Sequence, residues 1–452
     1  MVYFVSNQQS VIKHDDTLIQ STTVEHVLDY FIKSKYDSIA VDTETEGRDS
    51  HVKKIISLQL GTPEHQFVID VRNVNIKLFK DLLETNLLLM HNAKFDYKFL
   101  KAAGIVCEHI YDTMVTEAVL YCGYFKYGYG LKDLVLRYCN VTMNKDTRGE
   151  FFHLGDKPMS STQILYAAFD TKYLHDIRIK QQERADKVDL NYVINLENEV
   201  VKSLADIEYN GIYLNKEKWL ENTKQFEFDF IELELKLDNI VLNDPILKKK
   251  IQKNNQLDLF AENTRLTNIN YGSPLQITRI LHLLGFEVTD SNDRTLQKIS
   301  KKHKFCEVLQ DYRGIKTIVE RYGREFTGYI NKHTNRVHTD FWQVLSTGRI
   351  SSGNDDMNAP NIQNIPRDNL FRNCFEARPG FKWISIDYSS QELRLMADGS
   401  GEEGFINVLN RGEDLHCYAG SMMFKRTITK ADSELRNKAK TINFGKPLTL
   451  AA

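Results

Sequence analysis

Apolar positions along this chain change period several times, and the changes divide it. Ser38-Ile39-Ala40-Val41, Lys54-Ile55-Ile56-Ser57-Leu58-Gln59-Leu60 and Gln66-Phe67-Val68-Ile69-Asp70 are short runs rich in β-prone residues, which predict strands. From near Ile76 apolar residues recur at helix spacing to about Lys187, so this first part is expected to be a compact α/β domain. Between roughly Leu190 and Asn331 the pattern is charged and helical, with Gly211 and Gly272 as breaks. Around Val337 it turns strand-like and then loop-rich, punctuated by Gly348, Gly353, Pro360 and Pro366. Lys382 to Ile386 predicts another strand, leading into a helix from about Ser390, and Lys430 to Phe444 predicts a last helix. There is no internal repeat and no low-complexity tract.

A chain of 452 residues exceeds one hydrophobic core, so two to four domains are expected. Hydrophobic residues make up 42% and charged residues 27%, an ordinary globular mix. With 59 Lys+Arg against 61 Asp+Glu the net charge is −2, so nothing global advertises a polyanionic partner. The local runs Lys248-Lys249-Lys250 and Lys301-Lys302-His303-Lys304 read as solvated helix faces or as grips for phosphate. Six cysteines show no zinc spacing and read as reduced thiols. Without a long apolar run or a signal-like start, the expectation is a soluble cytoplasmic protein with no membrane partner.

The candidate chemistry lies in three carboxylate motifs. Asp42 and Glu44, two apart after a β-prone run, should face the same side of a strand. Asn92 and Asp96, like Tyr166 and Asp170, are four apart, so each pair should share a helix face. Taken singly, Asp-x-Glu is as well read as a cap or surface pair, and Tyr-x-x-x-Asp carries less. Four converging acids, however, would repel one another unless divalent cations sat between them. Such oxygen-only ligation suits Mg²⁺ or Mn²⁺, and two ions would serve phosphodiester hydrolysis.

Order, spacing and flanking residues of these motifs resemble the proofreading 3′–5′ exonuclease of family A DNA polymerases, of the tyrosine-containing DEDD type. Tyr111-Asp112-Thr113-Met114 and Leu131-Lys132-Asp133-Leu134 add to the likeness, and no histidine stands five residues before Asp170. The resemblance implies a ribonuclease H-like domain, a mixed sheet with helices. It implies that Asp42, Glu44, Asp96 and Asp170 bind two metal ions directly or through water. Tyr166 would orient the attacking water, and Asn92 would contact DNA.

Downstream, Thr347-Gly348-Arg349-Ile350-Ser351-Ser352 and Asn361-Ile362-Gln363-Asn364-Ile365-Pro366 resemble the palm entrance of the same family. Arg349, Gln363 and Asn364 would then meet minor-groove acceptors common to all base pairs. Ile384-Ser385-Ile386-Asp387-Tyr388-Ser389-Ser390-Gln391-Glu392 resembles polymerase motif A, with Asp387 ending a buried strand as a metal ligand and Glu392 selecting deoxynucleotides. His416, Arg436, Lys440 and Phe444 resemble residues holding the incoming triphosphate, the last three on one helix stripe. The intervening Leu196-Glu197, Ile207 to Ile212 and Ser273 to Arg313 resemble the connector and thumb. The implied order is an exonuclease domain at 1–190, a helical connector and thumb at 191–335, an incomplete α+β palm at 336–429 and the start of the fingers at 430–452.

The likeness stops after Gly445, where Lys446-Pro447-Leu448 replaces the continuing fingers helix. Pro447 is expected to end that helix. The expectation is the N-terminal portion of a replicative or repair DNA polymerase, of phage or plasmid type, acting on primer–template DNA and single-stranded 3′ ends. Its exonuclease would be intact, and it would use dNTP only when completed by a C-terminal polymerase half. An intron, a natural split and a frameshift or cloned fragment each account for such a break. The competing reading is a non-catalytic DNA-binding half, and an RNA-trimming nuclease would have no need of the Asp387 region.

Overall fold

In the computed structural model, residues 1–6, 12–14, 17–33, 35–124, 128–143, 146–251, 267 and 269–450 are described. The side chains of Lys249, Lys250 and Phe444 lie outside the described ones. Two units emerge, residues 1–378 and 379–452.

The first unit begins with β1 (Val2–Val5), β2 (Ile12–His14), β3 (Thr17–Ser21), α1 (Val24–Lys33), β4 (Ser38–Thr45), β5 (Ile55–Gly61) and β6 (Gln66–Asp70). There follow α2 (Lys80–Thr85), β7 (Leu87–Met90), α3 (Ala93–Ala102), β8 (His109–Asp112), α4 (Thr113–Leu120), α5 (Leu131–Cys139), α6 (Ser161–Lys172) and α7 (Leu174–Val188). The eight strands form one mixed sheet in the order β2-β3-β1-β6-β5-β4-β7-β8. β4 pairs antiparallel with β5 and parallel with β7, so it is central and buried on both faces. Ile39 and Val41 join a core with Phe31 of α1, Leu83 of α2 and Leu100 of α3, while Ala40 joins the core with Leu134 of α5 and Ile177 of α7. A third core sets α6 against Ile56 and Val68.

The three strands expected between Ser38 and Asp70 are present, but unbroken helical periodicity from Ile76 to Lys187 is not, because β7 and β8 interrupt it. Leu87-Leu88-Leu89-Met90 is a short parallel strand covered on both faces. Such a strand reads as a continuous apolar run that period alone cannot separate from a buried helix.

α6 carries two of the candidate residues and starts in a capping box. Ser160 Oγ accepts from Gln163 N at 3.2 Å, and Gln163 Oε1 accepts from Ser160 N at 2.9 Å. Ser160→Ala is expected to lower stability by about 1 kcal/mol, read as a shift in the urea unfolding midpoint. An unchanged midpoint would mean that water replaces the cap.

α8 (Asn191–Asn210) leads from this sheet to β9 (Ile212–Tyr213), α9 (Lys216–Asn243), α10 (Pro245–Ile251), α11 (Pro274–Leu283), α12 (Asp293–Ile299) and α13 (Lys304–Tyr322). Gly211 closes α8 with φ 57°, and a Cβ there would stand 2.7 Å from both Val337 O and His338 Nδ1. Only glycine fits that turn. α9 and α13 pack together around Leu237, Phe305, Leu309 and Tyr312. β10 (Ile330–Asn331) and β11 (Arg336–Val337) complete a small sheet with β9, and β12 (Phe341–Trp342) pairs with β13 (Ser351–Ser352). A short helix, α14 (Asn369–Arg372), packs Phe371 near Trp219.

The second unit holds α15 (Gln391–Ser400), α16 (Glu403–Asn410) and α17 (Leu415–Phe424) around Leu393, Ala397, Val408 and Leu415, with α18 (Ser433–Leu450) packed on α17. The strand expected at Lys382–Ile386 is absent. A strand needs a neighbour for its N–H and C=O groups, and none pairs with this run among the described residues. Its apolar side chains are accordingly exposed, Ile386 at 89% and Ile384 at 78%. Nor does Pro447 end the last helix, which continues to Leu450. A proline removes one donor and bends the ladder, and the turns on either side can keep their own bonds. All six cysteines are free thiols. Among the described residues no helix is long and apolar enough to cross a membrane.

Candidate active site

β4 ends in Asp42-Thr43-Glu44, and the strand alternation sets Asp42 and Glu44 on the α6 side. On α6, Tyr166 and Asp170 are one turn apart, and both are buried. Asp42, Glu44 and Asp170 each present an oxygen within 4.8 Å of the others. These carboxylates line a cavity of about 540 Å³, together with Tyr166, Asn92 and Asp96.

Asp96 arrives differently. It sits on α3, 2% exposed, and its Oδ1 accepts from Thr43 N at 2.9 Å and Thr43 Oγ1 at 2.6 Å. Thr43 points to the opposite side of β4 from its two acidic neighbours, so Asp96 lines the cavity but lies outside the three-carboxylate group. Burial pushes the Asp96 carboxyl up to about 7, against the pull of both Thr43 hydrogen bonds. Thr43→Val deletes the hydroxyl donor and keeps the volume. By the usual effect of a lost outer-shell partner, activity at this site should fall about 10- to 100-fold. Unchanged activity in Thr43→Val would show that the backbone N–H alone holds Asp96.

Asn92 is not on the face of α3. It is the helix cap, at φ 62° and ψ 50°, and its N–H donates to Asp112 Oδ1 at 3.0 Å. Asn tolerates this left-handed conformation better than most residues, which a spacing of four could not reveal. Asp112 also accepts from Ala93 N at 2.8 Å and, at the head of α4, from Met114 N at 2.8 Å and Val115 N at 3.3 Å. One buried carboxylate thereby fixes the starts of both helices at the cavity.

The cavity wall includes residues to which no motif assigned a role, some inside the quoted motifs and some far from them. Phe95, Met114 and Phe152 give it apolar surface, Arg48 and Lys132 give it cations, and Asn354, Asp356 and Met357 come from the loop after β13. Arg48 Nη1 donates to Asp356 O at 2.8 Å. Lys132 stood within a quoted motif, but a contact across some 300 positions leaves no local signal. The donor set of the acids is hard carboxylate oxygen, which fits a divalent ion such as Mg²⁺ or Mn²⁺.

Arg349, Gln363 and Asn364 are exposed, and the structure brings their two motifs together. Gln363 Nε2 donates to Ile350 O at 3.3 Å, and Tyr322 Oη donates to Asn364 O at 2.6 Å. In the second unit Arg436 pairs with Asp414 at 2.7 Å, and buried His416 meets Asn443 at 3.2 Å. Burial lowers the His416 pKa, with the Asp414 carboxylate pulling it back up and the charges of Arg436 and Lys440 lowering it. Asp387 and Glu392 are exposed, so Asp387 does not end a buried strand.

Residues 19–184 match the family described as 3′–5′ exonuclease, and residues 242–447 match DNA polymerase family A. The DNA polymerase I of Borreliella burgdorferi is 29% identical over 468 residues, an alignment that takes in 96% of this chain and 48% of the relative. That of Aquifex aeolicus is 26% identical over 90% of this chain and 67% of its own length. The thermostable DNA polymerase I of Thermus aquaticus is 34% identical over 41% of this chain and 24% of its length. The chain thus spans about half or less of several curated relatives it matches, 48% of that of Borreliella burgdorferi and 37% of that of Chloroflexus aurantiacus. Its fold is similar to the POL domain of Pol1 from M. smegmatis, solved in complex with DNA primer-template and dNTP. The TM-score is 0.75 at 19% identity, covering 98% of this chain and 70% of that one. In order along the chain, then, come a region that matches a 3′–5′ exonuclease domain and a region that matches DNA polymerase family A, with relatives aligned across nearly its whole length.

Proposed function

We propose that this chain removes nucleotides from DNA 3′ ends by metal-dependent hydrolysis, as the proofreading part of a family A polymerase engaged in DNA replication. The observation that carries the reading is the meeting of Asp42, Glu44 and Asp170 beside Tyr166 and Asp96 in one cavity. Asp42, Glu44 and Asp170 would hold Mg²⁺ or Mn²⁺, with Asp96 acting through water. Two such ions, when bound, supply activation of water and charge stabilisation on the leaving oxygen. The Tyr166 hydroxyl orients the attacking water, and the rings of Phe95 and Phe152 hold the terminal nucleotide and exclude other water. Water adds to phosphorus, the bond to the upstream 3′ oxygen breaks, and that oxygen takes a proton. The products are a nucleoside monophosphate and a strand one residue shorter.

In this reading residues 1–190 are the exonuclease domain, 191–335 the connector and thumb, 336–429 palm and 430–452 the start of the fingers. Asp387 would serve as a polymerase metal ligand. Glu392, His416, Arg436, Lys440 and Phe444 would bind dNTP, and Arg349, Gln363, Asn364 and Asn92 would contact DNA. A second reading is favoured by the exposed run Phe381, Trp383, Ile384, Ile386 and Tyr388, and by the lack of a carboxylate group around Asp387 among the described residues. An apolar run with unpaired backbone is a template for an added strand. Primer extension would then require a further palm segment.

The test is a gel assay of a 5′-labelled primer–template with Mg²⁺ and all four dNTPs. Stepwise shortening is expected. An intact primer would sink the exonuclease reading, and extension would sink the need for a further segment.

A further inference from the structure

The carboxylate cavity draws on two distant parts of the chain. Asp42, Glu44, Asp96 and Asp170 come from the region matched to the exonuclease, whereas Asn354, Asp356 and Met357 come from the region matched to the polymerase. We propose that this later segment completes the exonuclease site, with Met357 as the side chain that holds the base of the 3′-terminal nucleotide. This inference rests on the exonuclease reading and adds a residue to it.

The segment is a closed ring. Asn354 N donates to Ala359 O and Ala359 N donates to Asn354 O, each at 2.9 Å, so the chain returns on itself between these two residues. Inside the ring, Asp355–Met357 form a single 3₁₀ turn, and Asn358 closes it in the left-handed region at φ 50°. Two anchors hold it from outside. Asp340 is one, since its backbone oxygen accepts from Gly353 N at 2.9 Å and its Oδ2 accepts from Asn354 Nδ2 at 2.7 Å. Arg48 is the other. It follows β4, four residues beyond Glu44, and its Nη1 donates to Asp356 O at 2.8 Å. The ring is thus tied to the same stretch of chain that presents the acids, and a side chain mounted on it keeps its place relative to them.

A nucleotide brings two unlike parts to such a site. Its phosphate goes to the carboxylates and the ions they would hold, and its base needs apolar surface. Phe95, Met114, Phe152 and Met357 supply that surface. Met357 is half-buried, so part of it is covered by the ring and part is left to a ligand. A thioether side chain is unbranched and polarizable, and it packs well against aromatic rings of differing outline. Any of the four bases can end a strand, so a contact that adapts to each is what the reaction requires.

The experiment gives the full chain, in Mg²⁺, two 5′-labelled strands and reads removal of the first residue. One is dodecathymidylate, and the other is the same strand ending in an abasic residue. In Met357→Ala, KM for dodecathymidylate is expected to rise about tenfold with little change in kcat, as for loss of one apolar pocket contact. KM for the abasic end should stay as it is in the unaltered chain, because no base is there to hold. Met357→Leu should restore the KM, since it keeps volume and apolar surface. An equal loss on both strands would make Met357 a support of the ring and overturn the inference, and so would an unchanged KM for dodecathymidylate. If circular dichroism shows Met357→Ala unfolded, Met357→Gln keeps the length of the side chain and is judged by the same split. In each of these outcomes the unaltered chain still shortens dodecathymidylate. Failure of the exonuclease reading looks different, because neither strand would then be shortened and the role of Met357 would fall with it.

Discussion

Asp42→Ala should reduce 3′-end hydrolysis by roughly three decades or more while leaving the fold intact. The carboxylate stands where β4 stops being a core strand and becomes the cavity wall, half-buried beside Glu44 and Asp170. Removing one of three clustered acids relieves their repulsion, so stability should hold or rise slightly. The loss falls on transition-state charge, where metal-assisted stabilisation of several kcal/mol corresponds to about three decades in rate. Single-turnover decay of a labelled strand, with circular dichroism as the folding control, reads both effects. Residual activity above a tenth of normal would remove Asp42 from the metal site. Asp42→Asn should behave almost alike, because it preserves shape but not charge.

Glu208→Ala should destabilise the first unit by about 3–5 kcal/mol, the usual effect of stranding a buried charge. Glu208 Oε1 accepts from Lys94 Nζ and, at 2.8 Å, from Phe341 N, and Oε2 accepts from Lys98 Nζ at 2.6 Å. Its side chain is 1% exposed and that of Lys94 is 8%. Without Glu208 the Lys94 ammonium keeps, among the described residues, the Phe341 carbonyl and, at 3.8 Å, Asp340. Lys94→Met/Glu208→Leu should recover only part of the loss, since Lys94 then strands no charge while Lys98 and Phe341 N still lose their partner. Urea unfolding followed by circular dichroism measures the cycle. A loss below about 1 kcal/mol in the single variant would mean that water reaches Lys94. Because Lys94 is two residues from Asp96 on α3, hydrolysis should weaken along with stability.

Much of the site was legible in the chain. Strand alternation placed Asp42 and Glu44 together, and one helical turn placed Tyr166 with Asp170, because both relations are local and periodic. What escaped the sequence was long-range or depended on a neighbour. Thr43 holding Asp96 is a contact between β4 and α3, and no spacing encodes it. Met357 at the cavity wall comes from the loop after β13, some 300 positions beyond β4. Leu87 to Met90 was apolar enough for either element, and only pairing with β4 and β8 made it a strand. Lys382 to Ile386 shows the converse, since β-prone side chains without a partner strand do not make one.

Asp112 joins four amides from two helices in a single buried carboxylate. The starts of α3 and α4 are thereby anchored to one side chain, so losing that carboxylate, as in Asp112→Ala, should free both helix ends at the cavity together.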